Sequence, residues 1–349
     1  MKNTFKTVLA LVAFSALSVQ AEQSNQSTSK KMPGPVSVPN PSGRWGVTGG
    51  ANVFFTAEAL VFKISQESTP YAYSRVDGIN SSTAYSIDQQ YKWGFRVAAG
   101  YNIPHDKWDV VGTYTRFNVS TTSSVTAPVG STLFNMSGDS LTAASNYWTV
   151  NFNMFDVEQG RQFFVSKYLR IRPKFGLRNV FLDNDQNTTN SLDTIIPSGE
   201  VTSTQMNEHF WGMGVLGGLD TVWTFGCGIS LYGNVALAGL FGYSKPTLQV
   251  NSDSTSLAGY NTAGHLENTK ANLDLALGLR WDRNFYDDRY HVGFNFGFEQ
   301  HIFFNMLHDF DSNSDVNNYG LNYEFDNLVG LSGRDFTMSG WTLGMRFDF

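Results

Sequence analysis

The sequence predicts an all-β chain closing into an antiparallel transmembrane β-barrel of about ten strands, with short periplasmic turns and long outer loops. Three observations carry this. Segments along the whole chain alternate apolar and polar residues with the period of a β-strand rather than a helix. Glycine reaches 33 residues and aromatics 15%, while charged residues are only 15%, against about 25% in soluble domains. Outside the leader, no run of about 18 apolar residues offers a transmembrane helix. The soluble alternative is a secreted β-sandwich, whose strands also alternate.

Residues 1–21 read as a secretory leader: Lys2 and Lys6 make a basic start, Val8 to Leu17 an apolar core, and Val19-Gln20-Ala21 a small-residue cleavage site. Its removal makes an already acidic chain, net charge -6, more acidic, a poor match for nucleic acid. Residues 22–44 are polar and carry Pro33, Pro35, Pro39 and Pro41, predicting an extended periplasmic lead-in. The barrel is expected over 45–349.

Strand one is expected from Trp45 to Phe62, with Phe55, Ala57, Ala59 and Val61 on one face and Glu58 on the other. In strand two, Trp93, Phe95, Val97, Ala99 and Tyr101 alternate with Lys92, Gly94, Arg96, Ala98 and Gly100. Its aromatics sit near both ends, as two interfacial girdles require. After a turn at Pro104 to Lys107, strand three places Trp108, Val110 and Tyr114 opposite Asp109, Thr113 and Thr115. Asn118 to Asn146, rich in Ser and Thr, reads as loop. Strand four changes phase: Trp148, Val150, Phe152 and Met154 form one apolar row, then Phe155 and Val157 the next. One extra residue near Met154 restores the alternation, which predicts a β-bulge there.

Strand five, Lys167 to Val180, sets Leu169, Ile171, Phe175 and Leu177 against Arg170, Arg172, Lys174 and Arg178. Each cation costs roughly 2–4 kcal/mol facing lipid at mid-depth, so this row belongs inside. Pro173, lacking a donor, predicts a bulge or a strand end. The unit then repeats: loop Asp183–Asn207, strand six His209–Val222, the turn Phe225-Gly226-Cys227-Gly228, strand seven Ile229–Tyr243 and loop Ser244–Glu267. Strand eight sets Leu273, Leu275, Leu277 and Leu279 against Asp274 and Arg280; strand nine sets Phe294, Phe296 and Phe298 against Glu299 and His301. Loop Phe304–Arg334 leads to a last strand whose outward row is Trp341, Leu343, Met345, Phe347 and Phe349. Ending on an aromatic, it is expected to close the barrel and serve its assembly. Short strands hidden in the loops raise the count to twelve or more.

Within the fourth and fifth strands, Phe155-Asp156-Val157-Glu158 and the run Gly160-Arg161-Gln162-Phe163-Phe164-Val165-Ser166-Lys167-Tyr168-Leu169-Arg170-Ile171-Arg172-Pro173-Lys174-Phe175-Gly176-Leu177-Arg178 resemble the Legionella-type major outer membrane protein family. These are pore-forming proteins that also occur in environmental chlamydia-like bacteria. The ending Gly344-Met345-Arg346-Phe347-Asp348-Phe349 is similar to that family's, though less specific. The resemblance spans the mature chain and implies a porin in the outer membrane of a Gram-negative bacterium. Its Legionella relatives are associated with disulfide-linked complexes. A single Cys227 permits no internal bridge and departs from that pattern.

No catalytic motif stands out, since Gly-x-Ser-x-Gly and His-Glu-x-x-His are both absent. His308-Asp309 is expected as a solvated pair at the outer rim. Asp309-x-Asp311-x-Asn313-x-Asp315 and Asp183-x-Asp185-x-Asn187 have calcium-like spacing but lack the loop glycine and closing glutamate, so they read as acidic loops. Neither metal nor cofactor is expected.

The functional candidates line the interior. Arg170, Arg172, Lys174 and Arg178, with Arg96 and Lys92, are expected to form a basic wall facing Glu58, Asp156, Glu158, Asp274 and Glu299. In a wet lumen, that field would select permeating solutes by charge. In the alternative, the charges pair and plug a narrow barrel, leaving a structural or surface-interaction role. Expected partners are outer-membrane lipid, the barrel-assembly machinery and small hydrophilic solutes; nucleic acid is not, and a homo-oligomer stays open.

Overall fold

The computed structural model describes residues 51–66, 70–76, 81–103, 108–135, 139–192, 201–252, 260–312 and 329–349. The expected leader, the Pro-rich lead-in, residues 45–50 of strand one and the turn Pro104 to Lys107 lie outside them. Among the described residues there is no helix.

Ten long antiparallel strands make the wall: β1 (Val53–Gln66), β2 (Tyr91–Asn102), β3 (Trp108–Thr126), β4 (Ser140–Arg161), β5 (Leu169–Leu192), β6 (Val201–Gly226), β7 (Ile229–Ser252), β8 (Leu266–Phe285), β9 (Tyr290–Ser312) and β10 (Val329–Asp348). Each pairs with its sequence neighbours. Between β1 and β10 the ladder runs from Phe54↔Asp348 to Gln66↔Phe336, so the sheet has no free edge in the wall. Closure satisfies every strand's backbone groups within the sheet, the condition for crossing lipid. Beyond β10, Phe349 and Val53 exchange both backbone hydrogen bonds, at 3.0 and 3.2 Å.

Outside the upper half of β4, the outward rows are those the alternation predicts. Trp93, Val215, Leu237, Leu277, Trp341 and Leu343 are all exposed and form the lipid-facing belt. Aromatics cluster towards the short-turn end, where Trp281 stacks on Phe294 and Tyr290 on Phe347. The turn 226–228 holds Cys227 at φ 53°, flanked by Gly226 and Gly228 at 130° and 79°. The cysteine is an exposed turn residue in a left-handed conformation.

Three expectations are corrected. There is no bulge at Met154: the β3–β4 register runs unbroken from Trp108↔Arg161 to Thr126↔Ala143, and β4–β5 is continuous past the same point. Trp148, Val150, Phe152, Met154, Asp156 and Glu158 all face inward, and Phe155 and Val157 outward. The phase change marks a change in what fills the interior. A true irregularity lies on β9 instead, where the register shifts between Phe303 and Leu307 and Asn305 has φ 53°.

Pro173 marks neither a bulge nor a strand end. It pairs with Leu219 inside an unbroken β5–β6 ladder. On its other side, β4 ends at Gly160↔Lys174 and the short strand Phe163–Phe164 begins at Ile171, leaving the proline at the gap where no donor is required.

The polar stretches read as loops are largely strand. β3 continues to Thr126, β5 and β6 run through most of Asp183–Asn207, and β7 reaches Ser252. Thr202 still pairs with Ser252, and Ala144 with Asn190. Here the inward face is filled by buried polar side chains such as Asn146, Asn184 and Asn190, so hydropathy alternation vanishes while backbone pairing and β-branched threonines sustain the sheet. Around this rim the short strands Ala72–Val76, Ser82–Tyr85 and Ser131–Phe134 form a flap joined to β4. Tyr71, Ala72 and Leu133 pack with Leu141 and Ala144 of β4 and Leu192 of β5 into a small core apart from that of the lumen.

Candidate functional site

The lumen has two storeys. In the half nearer the long connections, most inward side chains are apolar: Leu60, Phe62 and Ile64 of β1, Phe117 of β3, Trp148, Val150, Phe152 and Met154 of β4, Val180 and Leu182 of β5, Phe303 of β9, and Phe336 and Met338 of β10. Phe62, Phe152, Phe303 and Phe336 each have 0% of their surface exposed. Phe152 meets Phe303 at 5.5 Å and Phe336 at 6.1 Å between ring centroids. These rings come from opposite walls, so the upper lumen is closed by contact across its full width. Each buried side chain of this size stabilises by about 1.5–3 kcal/mol. Alternation could not separate this row from a lipid-facing one, because both are oily.

Nearer the short turns, the filling becomes ionic. Arg178 of β5 grips Asp156 of β4 with Nε and Nη2 at 2.8 and 2.7 Å, and its Nη1 reaches over to Asp274 and Asn272 of β8. His301 Nδ1 lies 2.8 Å from Asp274, and its Nε2 lies 3.3 Å from Glu299. Arg96 then joins Glu299 at 2.8 Å to Glu58 at 2.7 Å. One chain of charge-assisted bonds thus runs Asp156–Arg178–Asp274–His301–Glu299–Arg96–Glu58, through strands from all sides. A second cluster lies below it. Arg172 binds Asp109 in a fork and reaches Glu158 at 3.0 Å and Asp220 at 2.8 Å. Lys174 shares the last two acids, both at 3.1 Å.

The predicted lining residues therefore do meet inside, with cations and acids interleaved rather than facing one another as walls. Two of them stand elsewhere: Lys92 lies beside Phe62 in the β1–β2 register, above the ionic layer, and makes no ion pair among the described residues, while Arg170 lines the cavity nearer the turns. Asp109, Asp220 and His301 belong to the network although they were not singled out. Their inward parity along strands three, six and nine was the available signal. Removing one partner from such a buried set costs about 3–5 kcal/mol, while the intact set adds little over a packed apolar filling.

Of the terminal row, Trp341, Leu343 and Met345 are well exposed and Phe347 partly so, with Phe349 packed on Phe347 and on Phe55. His308 is not a solvated rim residue but is buried. Its Nδ1 lies 2.6 Å from Glu208 Oε1 of β6, its backbone N–H donates to Oε2 at 2.8 Å, and Lys270 Nζ of β8 is 3.3 Å from its Nε2. The side chain of Asp309 and the stretch 313–315 lie outside the described residues. Asp183 and Asp185 sit on β5 instead of in a loop, and Asp183 pairs with His209 at 2.8 Å. Among the described residues no group of His, Cys, Asp or Glu is arranged to hold a metal ion.

A closed ten-stranded antiparallel barrel with an oily belt outside and an ion-paired interior defines an integral outer-membrane β-barrel protein. Residues 44–349 match the family described as Legionella pneumophila major outer membrane protein precursor. The chain belongs to that family.

No curated protein matches it. Among solved structures, the outer membrane protease OmpT from Escherichia coli aligns over 86% of this chain and 98% of its own, at 10% identity and TM-score 0.43. A Pseudomonas aeruginosa FadL homologue aligns over 85% and 89%, at 8% identity and TM-score 0.25. The attachment invasion locus protein Ail of Yersinia pestis aligns over 84% and 98%, at 12% identity and TM-score 0.18. Likenesses this distant carry no argument about activity.

Proposed function

We propose that this protein is an outer-membrane barrel with a closed resting lumen, serving the envelope as a rigid element and presenting its outer rim for interaction. The observation that carries this reading is the contact of Phe152 with Phe303 across the lumen. It is supported by the ion-paired layer beneath, and by a strand number well below the roughly 16 to 18 of open porins. The rim suits such a role: strands extend past the lipid, and the flap packs on them through a small apolar core apart from that of the lumen.

A second reading, passive diffusion of small hydrophilic solutes or ions, is favoured by one observation. The lower lumen holds a charge-lined cavity of about 300 Å³. Under that reading the three phenylalanines are a gate that excludes water until displaced.

Planar-bilayer recording of refolded protein separates the two. The closed-barrel reading expects no conductance steps from the wild type and steps from a Phe152→Ala/Phe303→Ala variant. Steady wild-type conductance, with ion selectivity altered by reversing the charges of Arg172 and Arg178, would overturn it in favour of the porin. Deletion of the flap with a surface-binding readout tests the rim.

A further inference from the structure

Three further arginines line the cavity at its turn end: Arg170 of β5, Arg280 of β8 and Arg346 of β10. The acids that anchor two of them sit behind the lining. Arg280 Nε donates to Asp282 Oδ1 at 2.8 Å, and Arg346 donates to Asp348 from Nε at 2.9 Å and Nη2 at 2.6 Å. Asp282 and Asp348 are both buried and absent from the cavity lining. His291 is wedged between them, at 3.1 Å from Asp282 and 2.7 Å from Asp348, and fixes both carboxylates.

Each of these two guanidiniums is thus held by one edge. Arg346 also lies over the Phe54 ring, 3.7 Å from its centroid. The Nη2 of Arg280 is buried with no hydrogen-bond acceptor among the described residues. A Cβ at Gly293 would fall 2.6 Å from Asp282 Oδ1 and 3.3 Å from this Nη2, so the glycine leaves room for the pair. Buried Arg170 comes within Coulomb range of both other arginines and of one acid, Asp282. Like charges gathered in a partly dehydrated pocket repel, and an anion between them removes that repulsion. Planar forks suit an acceptor with two or three oxygens.

We propose that the turn end of the lumen is an oxyanion site, binding a carboxylate or phosphate group that enters from the periplasm, with Arg170, Arg280 and Arg346 as its donors. The other cavity cations do not compete for the anion, because Arg96, Arg172, Lys174 and Arg178 are each saturated by carboxylates. The site is independent of whether the upper lumen conducts.

The test uses the refolded full-length chain in detergent, titrated calorimetrically with inorganic phosphate and, separately, with acetate. Saturable binding by the wild type is expected, weakened at least about tenfold in Arg280→Gln and Arg346→Gln, less in Arg280→Lys, and unchanged in Lys92→Gln. Binding of both probes supports a general oxyanion site; binding of phosphate alone supports the proposal and narrows the class to phosphate groups. Absence of saturable binding in the wild type, or undiminished binding in both glutamine variants, overturns it. If the variants do not fold, heat unfolding of the wild type decides. A midpoint that rises with phosphate at constant ionic strength and saturates supports the site, and one that only climbs in proportion to concentration, as for any excluded salt, or does not move, overturns it.

Discussion

The ring of Phe152 on β4 meets the ring of Phe303 on β9 edge-on, with 5.5 Å between centroids, although these strands lie on opposite sides of the barrel. Phe336 completes the stack. Truncating either ring to alanine is expected to cost about 3–5 kcal/mol, because the wall cannot collapse to fill the void. Tryptophan fluorescence in a urea series reads this cost, and a loss under about 1 kcal/mol would mean the rings do not close the lumen.

Among the described residues, Arg178 is the cation that bridges Asp156 to Asp274 across the lumen. Arg178→Met leaves two buried carboxylates facing each other and should destabilise by about 3–5 kcal/mol. Combining it with Asp156→Asn and Asp274→Asn should restore much of that loss. An additive triple variant, measured in the same urea series, would show that the three do not act as a unit.

Glu208, His308 and Lys270 form a separate buried set on β6, β9 and β8. Glu208→Gln strips Lys270 of its nearby acid and should cost about 3–5 kcal/mol, whereas Lys270→Met in the same chain should return part of it. A double-mutant cycle checks this: a coupling near zero would remove the set from the account of stability.

The flap is expected to loosen without the barrel. Leu133, fully buried in the flap's small core, should lose about 2–5 kcal/mol of local packing as Leu133→Ala. Limited proteolysis should then cut near 131–141 while heat-modifiable migration on gels stays as in the wild type. A barrel that melts with the flap would contradict the separation.

How much of this was legible in the sequence depended on contrast between the two faces of a strand. On the last strand, Trp341, Leu343 and Met345 alternate with Thr342, Gly344 and Arg346, and the structure puts the two sets on opposite sides of the wall. Arg172 and Arg178 could be assigned to the interior because charge facing lipid is too costly. Phe152 could not, since an oily residue suits lipid and a packed lumen equally well. The upper parts of β5 and β6 failed for the opposite reason: Asn187, Thr189 and Ser203 suit water on either side, and only the ladder reveals them as strand. Ion-pair partners such as Arg96 and Glu299 lie far apart in sequence and meet only because the sheet curls.

The join between β1 and β10 brings Phe54 beside Asp348, residues from nearly opposite ends of the chain. Arg96 straddles that join from within, holding Glu58 on one side and Glu299 on the other. Without β10 the sheet would be an open ribbon with β1 and β9 as bare margins, and Arg96 would lack the geometry that presents Glu299. Contacts between partners this far apart in sequence form only after the loop-closure entropy has been spent, so the joining of β1 to β10 is expected to be a slow step of folding.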